Sequence, residues 1–246
     1  MKPIILIPAR MASTRLPGKP LADIAGEPMI VRVWKRAVAA DIGPVVVAAG
    51  EREIAAAVEQ VGGRAVMTAP DLPSGSDRIY AALNAVDRGY EHDIVINLQG
   101  DLPTIEPQAI AASLEALTVT GADIGTLAAE IEDDEDADNP HITKVIACWD
   151  VTGRRGRALY FTRAKAPWGK GPLFAHVGLY AYKREALQRF VNLAPSRLEL
   201  REQLEQLRAL EAGMSIALAR IDAMPQSVDT EADLDKVRAA YARGEA

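Results

Sequence analysis

The chain has 246 residues, 49% of them apolar, a formal net charge of −6 and a single cysteine. This length suits one large α/β domain or two small ones, and the apolar fraction is ample for a core. The acidic balance argues against nucleic acid as a partner, and one cysteine excludes an internal disulfide or a multi-thiolate zinc site within the chain. With no run of about 20 apolar residues to span a bilayer, the expectation is a soluble cytoplasmic protein without membrane insertion.

The first element is a short run of Ile and Leu bounded by Pro3 and Pro8, which reads as a buried parallel strand. It empties into a loop carrying Arg10, Ser13, Thr14, Arg15 and Lys19. In an acidic chain these cations are a local concentration, suited to a small anionic ligand. Pro28 is placed to open a helix whose apolar face is Met29, Ile30, Val33, Trp34, Ala37 and Val38. Strand 45–49, helix 51–61, strand 64–67, the polar loop DLPSGS and a helix from about Asp77 to Arg88 follow. Strand 94–98 then runs into QGDLP, and Glu106-Pro107 opens another helix. Such alternation predicts a doubly wound, mostly parallel sheet with helices on both faces.

The middle changes character. The acidic run 130–140 reads as a solvated loop, and the strand-like ITKVIACW, RALYF and HVGLYAYK predict an antiparallel or mixed extension over about 126–195. Cys148, inside the first of these, reads as a buried inert thiol. Residues 197–213 predict one helix with a Leu200, Leu204, Leu207 and Leu210 stripe, ended by Gly213. Strand 216–221 and a final helix after Asp229, with Thr230 and Asp233 spaced as a capping box, complete what reads as a single domain.

Ligands of open α/β sheets sit beyond the carboxyl ends of the strands. Three loops leave that edge: Arg10–Lys19, Ser74–Arg78 and Gln99–Leu102. The first offers cations and hydroxyls for phosphates. The second, SGSDR, offers small residues and Arg78 beside a base or ribose. The third offers Asp101. A carboxylate beside a phosphate loop is repulsive unless a divalent cation lies between them, and Mg²⁺ is typically held by one or two carboxylates plus substrate phosphates. Asp101 therefore reads either as a metal ligand or as a turn residue, and Asp229 as a ligand or a helix N-cap. The first loop has neither G-x-G-x-x-G nor G-x-x-x-x-G-K-[ST], which argues against a dinucleotide-binding enzyme and a P-loop NTPase. Side chains must there do what those motifs assign to backbone amides.

The segments IPARMASTRLPGKPL (7–21), SGSDR (74–78), NLQGDLP (97–103), NP-x-x-x-KV (139–145), ALYFTRAKAPW (158–168), HVGLYAY (176–182), LEQLRALEAG (204–213) and VDTEADLDKVR (228–238) together resemble the 3-deoxy-manno-octulosonate cytidylyltransferases. The resemblance implies transfer of CMP from CTP to 3-deoxy-D-manno-octulosonate (Kdo) with release of pyrophosphate, Mg²⁺ dependence, a homodimer and a role in lipopolysaccharide assembly. It implies that Arg10, Ser13, Arg15 and Lys19 hold the triphosphate, and that Ser74, Asp77 and Arg78 lie near the nucleoside. Asp101 and Asp229 would bind magnesium. Gln99, Arg163, His176, Tyr180, Glu205 and Gln206 would form the sugar-acid pocket, with the Arg163 guanidinium suited to a bidentate grip on the carboxylate. On position alone His176 also reads as a packed strand histidine, and Glu205 and Gln206 as solvated helix residues. Leu102, Arg197 and Arg201 depart from what relatives usually carry. The alternatives are a sialic-acid or other sugar cytidylyltransferase on the same fold, and a nucleotide-binding regulatory subunit without catalysis.

Overall fold

Pro3–Ala9 forms β1, with Ile5, Leu6 and Ile7 fully removed from solvent in the computed structural model, which describes residues 1–13 and 15–245. Each such side chain contributes roughly 1.5–3 kcal/mol by burial. Thr14, one of the hydroxyls expected in the first loop, lies outside the described residues. Next come a 3₁₀ turn at Lys19–Leu21, the short pair β2 (Asp23–Ile24) and β3 (Glu27–Pro28), and α1 (Met29–Ala39). β4 (Val45–Ala49), α2 (Arg52–Gln60), β5 (Arg64–Met67), α3 (Gly75–Val86) and β6 (Ile94–Asn97) follow. Then come α4 (Pro107–Thr120), β7 (Ile124–Ile131), α5 (Asp134–Asp138), β8 (Lys144–Trp149), β9 (Arg155–Thr162) and β10 (Leu173–Lys183). The chain ends with α6 (Arg184–Val191), α7 (Arg197–Glu202), α8 (Gln206–Glu211), β11 (Ile216–Ile221) and α9 (Glu231–Arg243). The chain divides into two compact units, residues 1–110 with 225–246, and residues 111–224. The second is wider than the 126–195 extension expected from sequence.

In the first unit the strand order is β5-β4-β1-β6, and every neighbouring pair is parallel. The chain winds outward from β1 to β4 to β5, then returns through α3 to the other side of β1. Right-handed crossovers then put α1 and α2 on one face and α3 on the other, and the order reverses between β1 and β6. That reversal is where a ligand crevice forms, at the carboxyl ends of β1 and β6. Gly100 just past β6 makes the close approach possible: a Cβ there would lie 2.8 Å from the Pro8 carbonyl oxygen. Leu16, Ile24, Met29, Val228, Leu234 and Val237 form a buried cluster that seats α9 in this unit. The Thr230–Asp233 capping box closes the start of α9 as the spacing predicts, which typically contributes about 1 kcal/mol.

In the second unit the order is β10-β7-β11-β9-β8, with β7 and β11 parallel and the other neighbours antiparallel. β8 also meets β10 at Lys144 and Ala175, so the pairings close into a circuit. The strand-rich middle is therefore mixed, as expected. β7 is a buried strand that the sequence reading passes over, because Gly125, Ala128 and Ala129 dilute its β-branched character. Two further expectations are corrected. Cys148 is exposed rather than buried, because the ladder register sets it opposite exposed Arg157. The single helix expected over 197–213 is two short helices, broken where Gln203 takes a left-handed conformation (φ 55°). Leu200 is 67% exposed and belongs to no stripe, while Leu204 and Leu207 are buried. The acidic run is solvated as expected, although its centre is the turn of α5, with only Ala137 buried.

Candidate active site

The first unit carries a cavity of about 380 Å³ at the reversal point between β1 and β6. Its wall takes Arg10, Ser13, Arg15 and Lys19 from the first loop, Ser74 and Arg78 from the second, and Gln99 and Asp101 from the third. Segments distant in sequence thus meet because their strands or helices end at one edge of a parallel sheet. Glu51 holds the first loop from below: its Oε2 accepts the Met11 amide at 2.8 Å. Nothing in the sequence reading points to Glu51 for this, although it too follows a parallel strand.

Lys19 is the centre of the charge arrangement. Its Nζ donates to Asp101 Oδ2 at 2.8 Å, Val228 O at 2.8 Å and Asp229 Oδ1 at 3.1 Å. Burial pulls the Lys19 pKa down, but the two carboxylates outweigh it and hold the value above the ordinary 10.5. Arg15 reaches the same Asp229 oxygen at 3.0 Å, an exposed pair of little energetic weight. Thr230, not Asp229, caps α9, so the Asp229 carboxylate is left for these cations. The Val228 amide donates to the Asp101 carbonyl at 3.0 Å and ties the two carboxylate-bearing segments together. Asp101, Asp229 and Val228 O are hard oxygen donors already converging on one positive charge. That donor set fits Mg²⁺, whose remaining positions are usually filled by phosphates and water. Among the described residues no cluster of three or more His, Cys, Asp or Glu side chains exists to enclose a metal fully.

Within the SGSDR segment, Ser74 and Arg78 line the cavity and also organise the start of α3 and the loop before it. Ser74 caps α3, accepting the Asp77 amide at 3.1 Å and donating its hydroxyl to Asp77 Oδ2 at 2.7 Å. Asp77 does not line the cavity. Arg78 is only 2% exposed, and its guanidinium donates to Thr68 Oγ1, Ala69 O and Pro70 O at 2.6, 3.1 and 3.1 Å. It organises the loop that precedes α3. Burial and the neighbouring Arg10 lower its pKa from the usual value. Gln99 lines this same cavity and donates to Asn97 Oδ1 at 3.1 Å. Leu102 is buried core.

In the second unit His176, Tyr180 and Gln206 come together. His176 is 7% exposed, with its ring 4.8 Å from Phe161 and 5.4 Å from Tyr180. Burial lowers its pKa from 6.5 to about 3, so the ring is neutral at physiological pH. Burial, Tyr182 and Glu205 together raise the Tyr180 pKa well above its usual value. Gln206 is buried at the start of α8 rather than solvated, and Glu205 stands before it as N-cap residue. Arg163 stands at the end of α7, against Glu202 and Gln203. Its Nε, Nη1 and Nη2 donate to Glu202 O, Pro140 O and Gln203 O at 2.8, 3.0 and 3.3 Å. The guanidinium expected to grip the sugar carboxylate thus donates to three backbone carbonyls in this structure. Glu202 reciprocates, its Oε2 accepting the Arg163 amide at 2.9 Å and its Oε1 the Thr162 hydroxyl at 3.0 Å. These contacts satisfy the carbonyls at the end of α7 and explain why the helix breaks at Gln203. Arg197 and Arg201 are exposed.

Comparison with known proteins gives the family. Residues 4–216 match the cytidylyltransferase family. A 3-deoxy-manno-octulosonate cytidylyltransferase of Parvibaculum lavamentivorans is 61% identical over 241 residues, covering 98% of this chain and 93% of that one. The enzyme of the same name from Methylorubrum populi is 61% identical over 236 residues, covering 96% and 95%. A CMP:2-keto-3-deoxy-manno-octonic acid synthetase solved in complex with CTP superimposes with a TM-score of 0.90 at 40% identity, over 99% of this chain and 100% of that one. A nucleotidyl transferase from Methanothermobacter, TM-score 0.64 at 16% identity, shares the fold. The chain belongs to the cytidylyltransferase family, among its 3-deoxy-manno-octulosonate cytidylyltransferases.

Proposed function

We propose that this protein transfers the cytidylyl group of CTP to Kdo, giving CMP-Kdo and pyrophosphate for lipopolysaccharide assembly. The observation that carries the reading is the cavity in which Arg10, Ser13, Arg15 and Lys19 share a wall with Asp101. Cations in an acidic chain serve the triphosphate, and the carboxylate serves a metal. The two high-identity enzymes above narrow the nucleotide to CTP and the acceptor to Kdo.

In the reaction the anomeric hydroxyl oxygen of Kdo attacks the α-phosphorus while the bridging oxygen to the β-phosphate leaves in line. Such transfers depend on positioning and charge neutralisation more than on covalent help from the protein. Arg10, Arg15 and Lys19 neutralise and orient the triphosphate, with Ser13 as a further hydrogen-bond partner. Glu51 keeps their loop in place. Asp101 and Asp229 would hold Mg²⁺, which when bound offsets phosphate charge and stabilises the leaving pyrophosphate. Lys19, now resting on these carboxylates, is then available to the phosphates. His176, Tyr180, Glu205 and Gln206 take the sugar acid.

No helix among the described residues is long and apolar enough to cross a membrane. A cytoplasmic location is proposed because CTP is available there. A homodimer formed through the second unit is proposed on the exposed Leu159 and Trp168 of its strand-rich part.

The test is magnesium-dependent pyrophosphate release from CTP with Kdo, with N-acetylneuraminate, and with no acceptor. Release with Kdo alone is expected. Release with N-acetylneuraminate but not Kdo would select the sialic-acid reading. No release with either acceptor under any divalent metal would select the regulatory one.

A further inference from the structure

Thr126, in the middle of β7, is fully buried and belongs to no motif that the sequence singles out. It lies against an irregularity in β10. The antiparallel register runs His176↔Ala128 and Val177↔Leu127, then resumes at Tyr180↔Thr126. Gly178 and Leu179 are extra residues on the β10 side. Bulges of this kind re-aim side chains beside functional sites. Here the bulge turns the Val177 and Leu179 carbonyls toward Thr126 Oγ1, at 3.2 and 2.7 Å. His176 Nε2 lies 3.0 Å from the same oxygen.

A hydroxyl has one proton, and both carbonyls can only accept. The Thr126 proton is therefore committed to the bulge, most directly to Leu179 O. What remains toward His176 is a lone pair, so Nε2 must carry the ring proton. Nδ1 is then an acceptor, and it lies 3.5 Å from Gln206 Nε2. We propose that Thr126 is a positioning residue that locks His176 in its Nε2–H tautomer. Through Nδ1 this draws the Gln206 amide nitrogen toward the ring and leaves the Gln206 carbonyl oxygen as the acceptor for a hydroxyl of the sugar acid. The proposal rests on the reading of His176 and Gln206 as part of the acceptor pocket. Phe161 and Tyr180, at 4.8 and 5.4 Å from the imidazole, hold the ring plane in which these bonds are made. Burial keeps the ring neutral near pH 7, so the tautomer is the only protonation variable left.

The tautomer is read directly by ¹⁵N NMR of imidazole-labelled protein, where protonated and bare ring nitrogens have well-separated shifts. The wild type should show the His176 proton on Nε2. Thr126→Ser should keep both this spectrum and the KM for Kdo. Thr126→Val, nearly isosteric but without the hydroxyl, should move the proton to Nδ1. It should also raise the KM for Kdo about tenfold, the effect of one mismatched buried hydrogen bond. The KM for CTP should stay within about twofold in both variants. A wild-type proton on Nδ1, or an Nε2 proton retained in Thr126→Val, would overturn the proposal. A swapped tautomer with unchanged KM for Kdo would instead overturn the acceptor-pocket reading while the tautomer lock stood. If Thr126→Val does not fold, the wild-type spectrum and Thr126→Ser still decide: loss of the Nε2 proton in the serine variant, which keeps the hydroxyl, is the overturning result.

Discussion

The two units hold their ligand-facing groups in opposite electrostatic regimes. In the first, Arg10, Arg15, Lys19 and Asp101 line a cavity, Asp229 pairs with Arg15 and Lys19, and charge is balanced against charge. In the second, His176, Thr126 and Gln206 are buried and neutral, and orientation is set by which atom donates and which accepts. The first regime suits polyphosphate and metal, whose affinities come from Coulomb attraction that water and salt can screen. The second suits recognition of hydroxyls on a sugar, where a misplaced donor leaves a buried group unpaired. Mutations in the first should therefore act on nucleotide use and turnover, and mutations in the second on the acceptor alone.

The largest effect is expected at Asp101. Asp101→Asn keeps size and shape but removes the charge that would hold magnesium. Turnover should drop roughly 10³-fold, comparable to loss of a preorganised electrostatic group, with the thermal midpoint nearly unchanged. A near-normal rate at saturating CTP and Mg²⁺ would break the contrast at its strongest point. Next is Lys19→Met, which removes an ammonium making three hydrogen bonds. The KM for CTP should rise about 10- to 100-fold, the range for charged hydrogen bonds, while the KM for Kdo should stay put. Equal losses for both substrates would show that Lys19 shapes more than the nucleotide side.

pH separates the regimes without touching the catalytic rate. His176 has a folded-state pKa of about 3 against an ordinary 6.5. Between those values the unfolded chain binds a proton that the folded chain refuses, so stability is fully present above pH 6.5 and is lost as pH falls toward 3. His176→Gln should remove this part of the acid slope in urea unfolding measured across that window. An unchanged slope would mean that His176 is wetter than its surroundings indicate. Lys19 behaves in the reverse sense: its raised pKa makes its ion pairs count fully below pH 10.5, with loss only at higher pH. The smallest effect belongs to Leu200→Glu, at an exposed position that the helical stripe had placed in the core. Stability should move by no more than about 0.5 kcal/mol. A larger loss would mean that this face is covered in the working assembly.

What could be read from sequence differs between the units for a physical reason. Elements of the first unit follow from short-range pattern: apolar runs ending in polar loops, the Pro28 boundary of α1 and the spacing of Thr230 and Asp233. Parallel βαβ winding then brings the loops after β1 and β6 to one edge, so Arg10, Lys19 and Asp101 are grouped by sequence pattern and topology alone. The second unit resisted. Its buried strand β7 is rich in small residues, and the 197–213 helix breaks where Arg163 and Glu202 bind each other's backbone across 39 positions. No local window contains that pairing.

Sequence alone thus determined the order of elements in the parallel half, the concentration of cations after the first strand, and the family to which the whole set of motifs belongs. Tertiary structure decided which partners each polar group meets within the chain. Arg78 donates to the Thr68 hydroxyl and two loop carbonyls, Arg163 to three backbone carbonyls, Ser74 to the Asp77 carboxylate at a helix start, and Asp229 is left for Lys19 because Thr230 takes the cap. Residue type fixes what a side chain can bond. Only the packed chain fixes which partners lie within about 3 Å.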